Sequence, residues 1–233
     1  MKVCKFERMN NEDEVKQVIG CIQKEHPYVA VIPVLTQLQE WLQAISVSWF
    51  HEEDETSHTI VNAIEEYCRT LTDRLISDRK LNQDMKVQIE KCIEKIQVLV
   101  EDKADLLTDK IIKAEVYGLS NELFACCLRQ QGLRAQTLDT GKFMQINLER
   151  KPDIPYIKES VQQYISEKRD ADIFIAPLSL CKNVYGETDF MNEKRNDYYA
   201  TVLATAFGAD ELLLSTQINH IYANRNSWRE QHS

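Results

Sequence analysis

Apolar residues along this chain follow two rhythms. Tyr28 to Val34 reads YVAVIPV and Ala171 to Pro177 reads ADIFIAP. Short unbroken apolar runs of this kind predict strands buried on both faces of a parallel sheet. Glu211 to Ser215 (ELLLS) predicts another, Met1 to Phe6 and Leu133 to Asp139 read as strands, and Phe143 to Leu148 is a further candidate. The second rhythm is helical. Asn11-Glu12-Asp13-Glu14 opens a helix to about Lys24, with an asparagine cap and acids in its first turn that suit the helix dipole, and His26-Pro27 breaks it. Leu35 to Ile112 is almost all helical pattern. Leu38, Leu42, Ile45 and Trp49 form one stripe, Ile60, Ile64, Tyr67 with Cys68, Leu71 and Leu75 a second, Ile89, Cys92 with Ile93, Ile96 and Leu99 with Val100 a third, with connections at His51–Thr56 and Ser77–Asp84. Interrupted stripes predict helices covering a sheet or forming a lid, not a coiled coil.

Further helices are predicted from Leu119 to Gln130, capped by Ser120 and stopped by Gly132, and from Asp153-Ile154-Pro155 to about Lys168. Another begins at a cap on Asn196 and stops at Gly208, and Val184 to Glu187 reads as a turn. Strands alternating with helices predict an α/β fold: a three-layer α/β/α sandwich with a mainly parallel central sheet and a helical insertion at about 35–112. No repeat, low-complexity tract or linker interrupts the chain, so residues 1–233 read as one domain.

Charge narrows the function classes. The net charge is −9, and basic residues alternate with acids, as in Lys91, Glu94, Lys95 and Glu101, Asp102, Lys103. Nucleic acid and anionic membranes both require a clustered basic face, so neither is expected as a partner. The seven cysteines are scattered without a CxxC or a His-Cys cluster, which points to a reduced, cytoplasmic compartment and to no metal site. The N-terminus has no apolar signal core, and no apolar run approaches the ~18 residues of a membrane span. Glycine is scarce, six in all and never clustered, so neither a P-loop nor a GxGxxG is present.

The segment Asn196–Asn224 reads NDYYATVLATAFGADELLLSTQINHIYAN. Its frame of Asp197-Tyr198, Ala200, Ala204, Ala206, Gly208-Ala209-Asp210-Glu211, Thr216 and Ile221-Tyr222 resembles the aspartate kinases of the amino-acid-kinase superfamily, from the catalytic aspartate through the adenine-binding strand. The resemblance continues elsewhere in order. The family's opening Lys-Phe-Gly-Gly-Thr-Ser stands here as Lys5-Phe6-Glu7-Arg8-Met9-Asn10, and its helix after Ser-Phe-Gly-Glu aligns on Leu119-Ser120 and Leu123-Phe124-Ala125.

The resemblance implies an amino-acid-kinase-like domain without the family's C-terminal regulatory pair. It implies Lys5 and Asp197 at catalytic positions and Thr216 and Tyr222 at nucleotide positions, with Mg-ATP as the cofactor of an active member. The departures imply lost chemistry. Glu7 and Arg8 replace both glycines that let backbone amides approach the phosphates. The Gly-Arg-Gly-Gly-Ser loop becomes Asn192-Glu193-Lys194-Arg195-Asn196, which reverses the charge at the substrate-binding arginine. Ala114-Glu115-Val116-Tyr117 lacks the family's Gly-Glu pair, and Glu115 and Glu122, out of register, read as surface charges. His220 stands where the family has a glycine and reads as a surface residue. A lone lysine at a strand end is ordinarily solvated, and an aspartate in a first helical turn is favourable for the dipole alone, so the frame carries the reading of Lys5 and Asp197. The expectation is a degenerate aspartate-kinase-like protein that binds a ligand or partner, with an active kinase using Arg8, Lys194 and Arg195 as the alternative. Partners in view are a second copy, an active relative or a small molecule. An exposed apolar patch on the Leu38–Trp49 helix would favour the interaction role.

Overall fold

The computed structural model describes residues 1–52, 54–102, 104–166, 170–191, 196–217 and 220–223, with backbone only for 54, 196, 216, 217 and 220–223. Six strands form one sheet in the order β3-β4-β2-β1-β7-β8, where β1 is Lys2–Lys5, β2 Val29–Ile32, β3 Ala135–Thr137, β4 Ile173–Pro177, β7 Glu211–Gln217 and β8 His220–Ala223. All neighbours run parallel except β7 and β8, which pair antiparallel around a register shift between Ser215 and Gln217. A hairpin of β5 (Leu180–Lys182) and β6 (Thr188–Phe190) stands apart from this sheet.

Alternation along the strands divides the core into two layers. Cys4, Ala30, Ile32 and Ile175 face α1 (Glu12–Glu25), α2 (Thr36–Phe50), α3 (Asp54–Leu75), α4 (Arg79–Glu101) and α5 (Leu106–Arg129). Val3, Val29, Val31, Phe174 and Ala176 face α6 (Ile154–Ser166) and α7 (Asn196–Ala206). The sandwich and the helical insertion are as the periodicity predicts. The stripes of α2, α3 and α4 are buried apart from Ile60, Tyr67 and Leu99, which pack against the core half-buried, and full burial of a residue such as Ile64 contributes about 1.5–3 kcal/mol. On α2 only Val47 and Phe50 are large exposed apolar residues, the latter 44% exposed.

Local chemistry explains most element ends. Asn11 accepts from the Glu14 N–H and caps α1 as predicted, and the side chain of Glu14 reaches back to the Asn10 N–H. Gly208 (φ +63°) ends α7, with the Ala209 N–H reaching the Ala204 carbonyl, and Gly132 (φ +85°) ends α5 in the same way. Asn183 accepts from the Tyr185 and Glu187 N–H groups and shapes the turn predicted at Val184–Glu187.

Other expectations are corrected. Ser120 caps nothing: it lies inside α5, 2% exposed, and the cap is Asp105, which accepts from the Leu107 and Thr108 N–H groups. No breaker separates Leu106 from Gln130, so the helix runs through Gly118 at a modest propensity cost. The connections before α3 and α4 are shorter than predicted, because α3 begins at Asp54 and Asp78 caps α4 by accepting from the Leu81 N–H. Phe143–Leu148 is no continuous strand. It follows a 3-10 turn at Thr140–Lys142 and makes only isolated bridges, Gln145 to Lys182 and Ile146 to Pro152. The expected cap by Asn196 lies outside the described side chains.

Candidate functional site

In doubly wound sheets ligands sit beyond the carboxyl ends of the strands, where the strand order reverses. Here β1 is that strand, with β2 on one side and β7 on the other. Lys5 ends β1 on the same face as Val3, towards α7. It is not the solvated lysine of a strand end but is 2% exposed. Its Nζ donates to Glu7 Oε1 at 2.5 Å and lies 3.1 Å from Asp197 Oδ1. Asp197 stands in the first turn of α7, its side chain 64% exposed. The fold thus brings together the two residues that the resemblance names as catalytic, although 191 positions separate them in sequence (197 less 5 less 1). Glu7 joins them.

Thr216 and Tyr222 lie on the neighbouring strands. Tyr222 of β8 pairs with Leu214 of β7, and Thr216 sits at the register shift. Their side chains, the surface reading of His220, and the loop of Asn192, Glu193, Lys194 and Arg195 lie outside the described residues.

Where β1, β2 and β4 end, on the side of α2 and α5, is a cavity of about 20 Å³ bordered by Arg8, Val34, Gln39, Tyr117 and Leu178, and Lys5 does not line it. That is room for about one water molecule. Tyr117, next to Val116 where the family has Gly-Glu, is 8% exposed and packs edge-on against Phe190 at 5.3 Å. Lys5, Glu7 and Asp197 alone sum to −1 and the neighbouring Arg8 brings the corner to neutral, so among the described residues no net positive charge is left there for a polyphosphate.

Sequence reasoning missed a second concavity. An open cleft of about 850 Å³ lies where β3 and β4 end against α4 and α5. Glu115 and Glu122 line it, and they are not free surface charges. Glu115 Oε1 accepts from Lys95 Nζ at 2.5 Å, and Glu122 Oε1 accepts from Arg129 Nη1 at 2.5 Å. Cys92 and Cys181 also border the cleft, and burial pushes both thiols up to about 12, so they are neutral and unreactive near neutral pH.

No protein-family model and no curated protein matches the chain. Solved structures do. Aspartokinase III of E. coli in complex with aspartate and ADP (R-state) superposes with TM-score 0.75 at 20% identity, covering 92% of this chain and 48% of that one. The same enzyme in complex with lysine and aspartate (T-state) gives 0.78 at 20% identity, covering 93% and 49%. The aspartate kinase of Clostridium acetobutylicum gives 0.69 at 11% identity, covering 91% and 46%. The chain thus spans about half the length of the aspartokinases it matches. Across that half, its sheet and helices follow the aspartokinase arrangement, and the chain has an aspartate-kinase-like α/β fold.

Proposed function

We propose that this protein is an aspartate-kinase-like domain that no longer transfers phosphoryl groups and instead binds a ligand or a protein partner. The observation that carries the reading is the Glu7 carboxylate against Lys5 Nζ at 2.5 Å. Phosphoryl transfer is catalysed by positioned positive charge and preorganised donors. Here the cation that would meet a phosphate already holds two carboxylates. Among the described residues, the Lys5 corner therefore does not fit the phosphates of Mg-ATP, and loss of even one preorganised donor typically costs about 2.7–4 kcal/mol of barrier lowering.

The test is thermal unfolding with and without millimolar ATP and magnesium, with L-aspartate in parallel. A ligand at a hundred times its dissociation constant stabilises a fold by about 2.7 kcal/mol. The expected result is no magnesium-dependent rise in Tm for the natural chain. A clear rise would overturn the reading.

One observation favours a second reading, an active aspartate kinase with a rebuilt phosphate site: Asp197 still meets Lys5, at 3.1 Å. That reading requires aspartate-dependent ADP release which Lys5→Met abolishes. For a partner role, the exposed Val47 and Phe50 at the end of α2 make self-association the first case to examine, by sedimentation over a concentration series.

A further inference from the structure

The open cleft beyond β3 and β4 carries cations that its walls do not neutralise. Its carboxylates are committed: Glu115 to Lys95, Glu122 to Arg129, and Asp139 to Lys142 at 4.0 Å. Lys91 and Lys182 border the same space, and among the described residues neither has a carboxylate within 4.0 Å.

The local geometry holds Lys182 there. The Lys182 stem lies across Gly141: a Cβ there would be in ordinary contact with Lys182 Cε, at 3.5 Å, and tight only against Asp139 Oδ1, at 3.3 Å. The Lys182 backbone is fixed on both sides, its N–H donating to the Met144 carbonyl at 2.9 Å and its carbonyl accepting from the Ile146 N–H at 2.8 Å.

A second, independent feature lies in the same wall. Asn121 of α5 is 2% exposed, and its buried Nδ2 has no hydrogen-bond partner. Buried polar atoms are almost always bonded, and an orphan in a cleft wall marks a missing acceptor. Rotation of the amide by half a turn exchanges its oxygen and nitrogen positions. The two bordering thiols are neutral, so they neither compete as anions nor attack.

We propose that this cleft binds a small organic oxyanion, a compact carboxylate or phosphate ester, held by Lys91 and Lys182 with Asn121 donating from the wall. The proposal is independent of the reading of Lys5, which lies at the end of β1, two strands away from β4 and three from β3.

An NMR titration of the ¹⁵N-labelled chain tests it. Inorganic phosphate is added in one arm and succinate in another, with sodium chloride at matched ionic strength as reference. The expected result is saturable shifts of the Asn121 side-chain amide and of the Gly118 and Gly141 backbone amides in at least one oxyanion arm. The arm that saturates at lower concentration separates phosphate from carboxylate recognition. The Lys91→Gln/Lys182→Gln variant, folded by its spectrum, should bind at least about tenfold more weakly, as expected for lost charge-assisted bonds. Shifts that follow ionic strength equally in all three salts, no saturation in either oxyanion arm, or an unchanged titration in the double variant would each overturn the proposal.

Discussion

At the end of β1, Lys5 is enclosed between two carboxylates. At the ends of β3 and β4, Lys182 borders an open cleft with no carboxylate within 4.0 Å among the described residues. Both regions occupy the edge of the sheet where α/β proteins place ligands. In one the charge is satisfied internally; in the other a space of about 850 Å³ is open and so is the charge. The difference teaches that position in a fold gives the place where chemistry could happen, while local charge pairing decides whether a ligand is wanted there.

The largest effect is expected at the hairpin between the two regions. Asp189 of β6 is 2% exposed and accepts from Arg150 Nη2 at 3.1 Å, with Lys110 Nζ also at 3.1 Å. Asp189→Ala should lower stability by about 2–3 kcal/mol in urea unfolding, the scale for charge-assisted bonds to a buried carboxylate. Burial alone would raise this carboxyl, but the bonds from Arg150, the Phe190 N–H and Lys110 outweigh it and hold it below its ordinary value. Its contribution is therefore complete above the ordinary carboxylate range and is lost as pH falls through the depressed value. A wild-type-like midpoint for Asp189→Ala would mean that the hairpin does not brace the boundary.

A smaller loss, about 1–2 kcal/mol, is expected for Lys5→Met, which leaves Glu7 and Asp197 facing each other without a cation. A gain in stability would show that burying this lysine costs more than its pairs return, and would strengthen the case that it is kept for chemistry. Lys182→Gln should change stability in urea unfolding by less than about 0.5 kcal/mol, since no ion pair is broken. A larger loss would mean that Lys182 has a structural partner and would blur the contrast.

The smallest effect concerns Asp172, whose carboxyl Arg134 holds at about 2 against an ordinary 3.8. Because the folded value is depressed, its stabilisation is present above the ordinary value and fades as pH falls towards about 2. Tm measured across that range should fall less for Asp172→Asn than for the natural chain.

The sequence made the layers legible because burial on both faces leaves an unmistakable apolar run, as at Val29–Ile32, and because helical stripes recur over several turns. The Asn11 cap and the two glycine stops were legible for the same reason: each uses a residue whose backbone chemistry is specific. Ser120 was misread because a serine inside a helix and a serine at its start look alike without knowledge of what precedes them. Of the candidate site, the meeting of Lys5 with Asp197 rested on resemblance alone. No local pattern links residues on β1 and α7, and the burial of Lys5 depends on elements almost two hundred positions apart. The cleft beyond β3 and β4 was illegible altogether, since it exists only when α4, α5 and the β5–β6 hairpin assemble around it.

The topology also has a kinetic consequence. The strand at the heart of the sheet, β1, is flanked by β2 about 25 residues later and by β7 more than 200 residues later. Closing so long a loop carries a modest equilibrium penalty, but long-range parallel pairing is slow and must await the partner strand. During synthesis, β1 and β2 can dock with α1, yet the edge of β1 stays unpaired until β7 leaves the ribosome. Until then a strand edge lined by Val3 and Cys4 stays open, which marks the nascent protein as a client for chaperones that shield unpaired β-edges. Ribosome-bound chains halted before and after β7 should therefore differ sharply in protease resistance around residues 2–5.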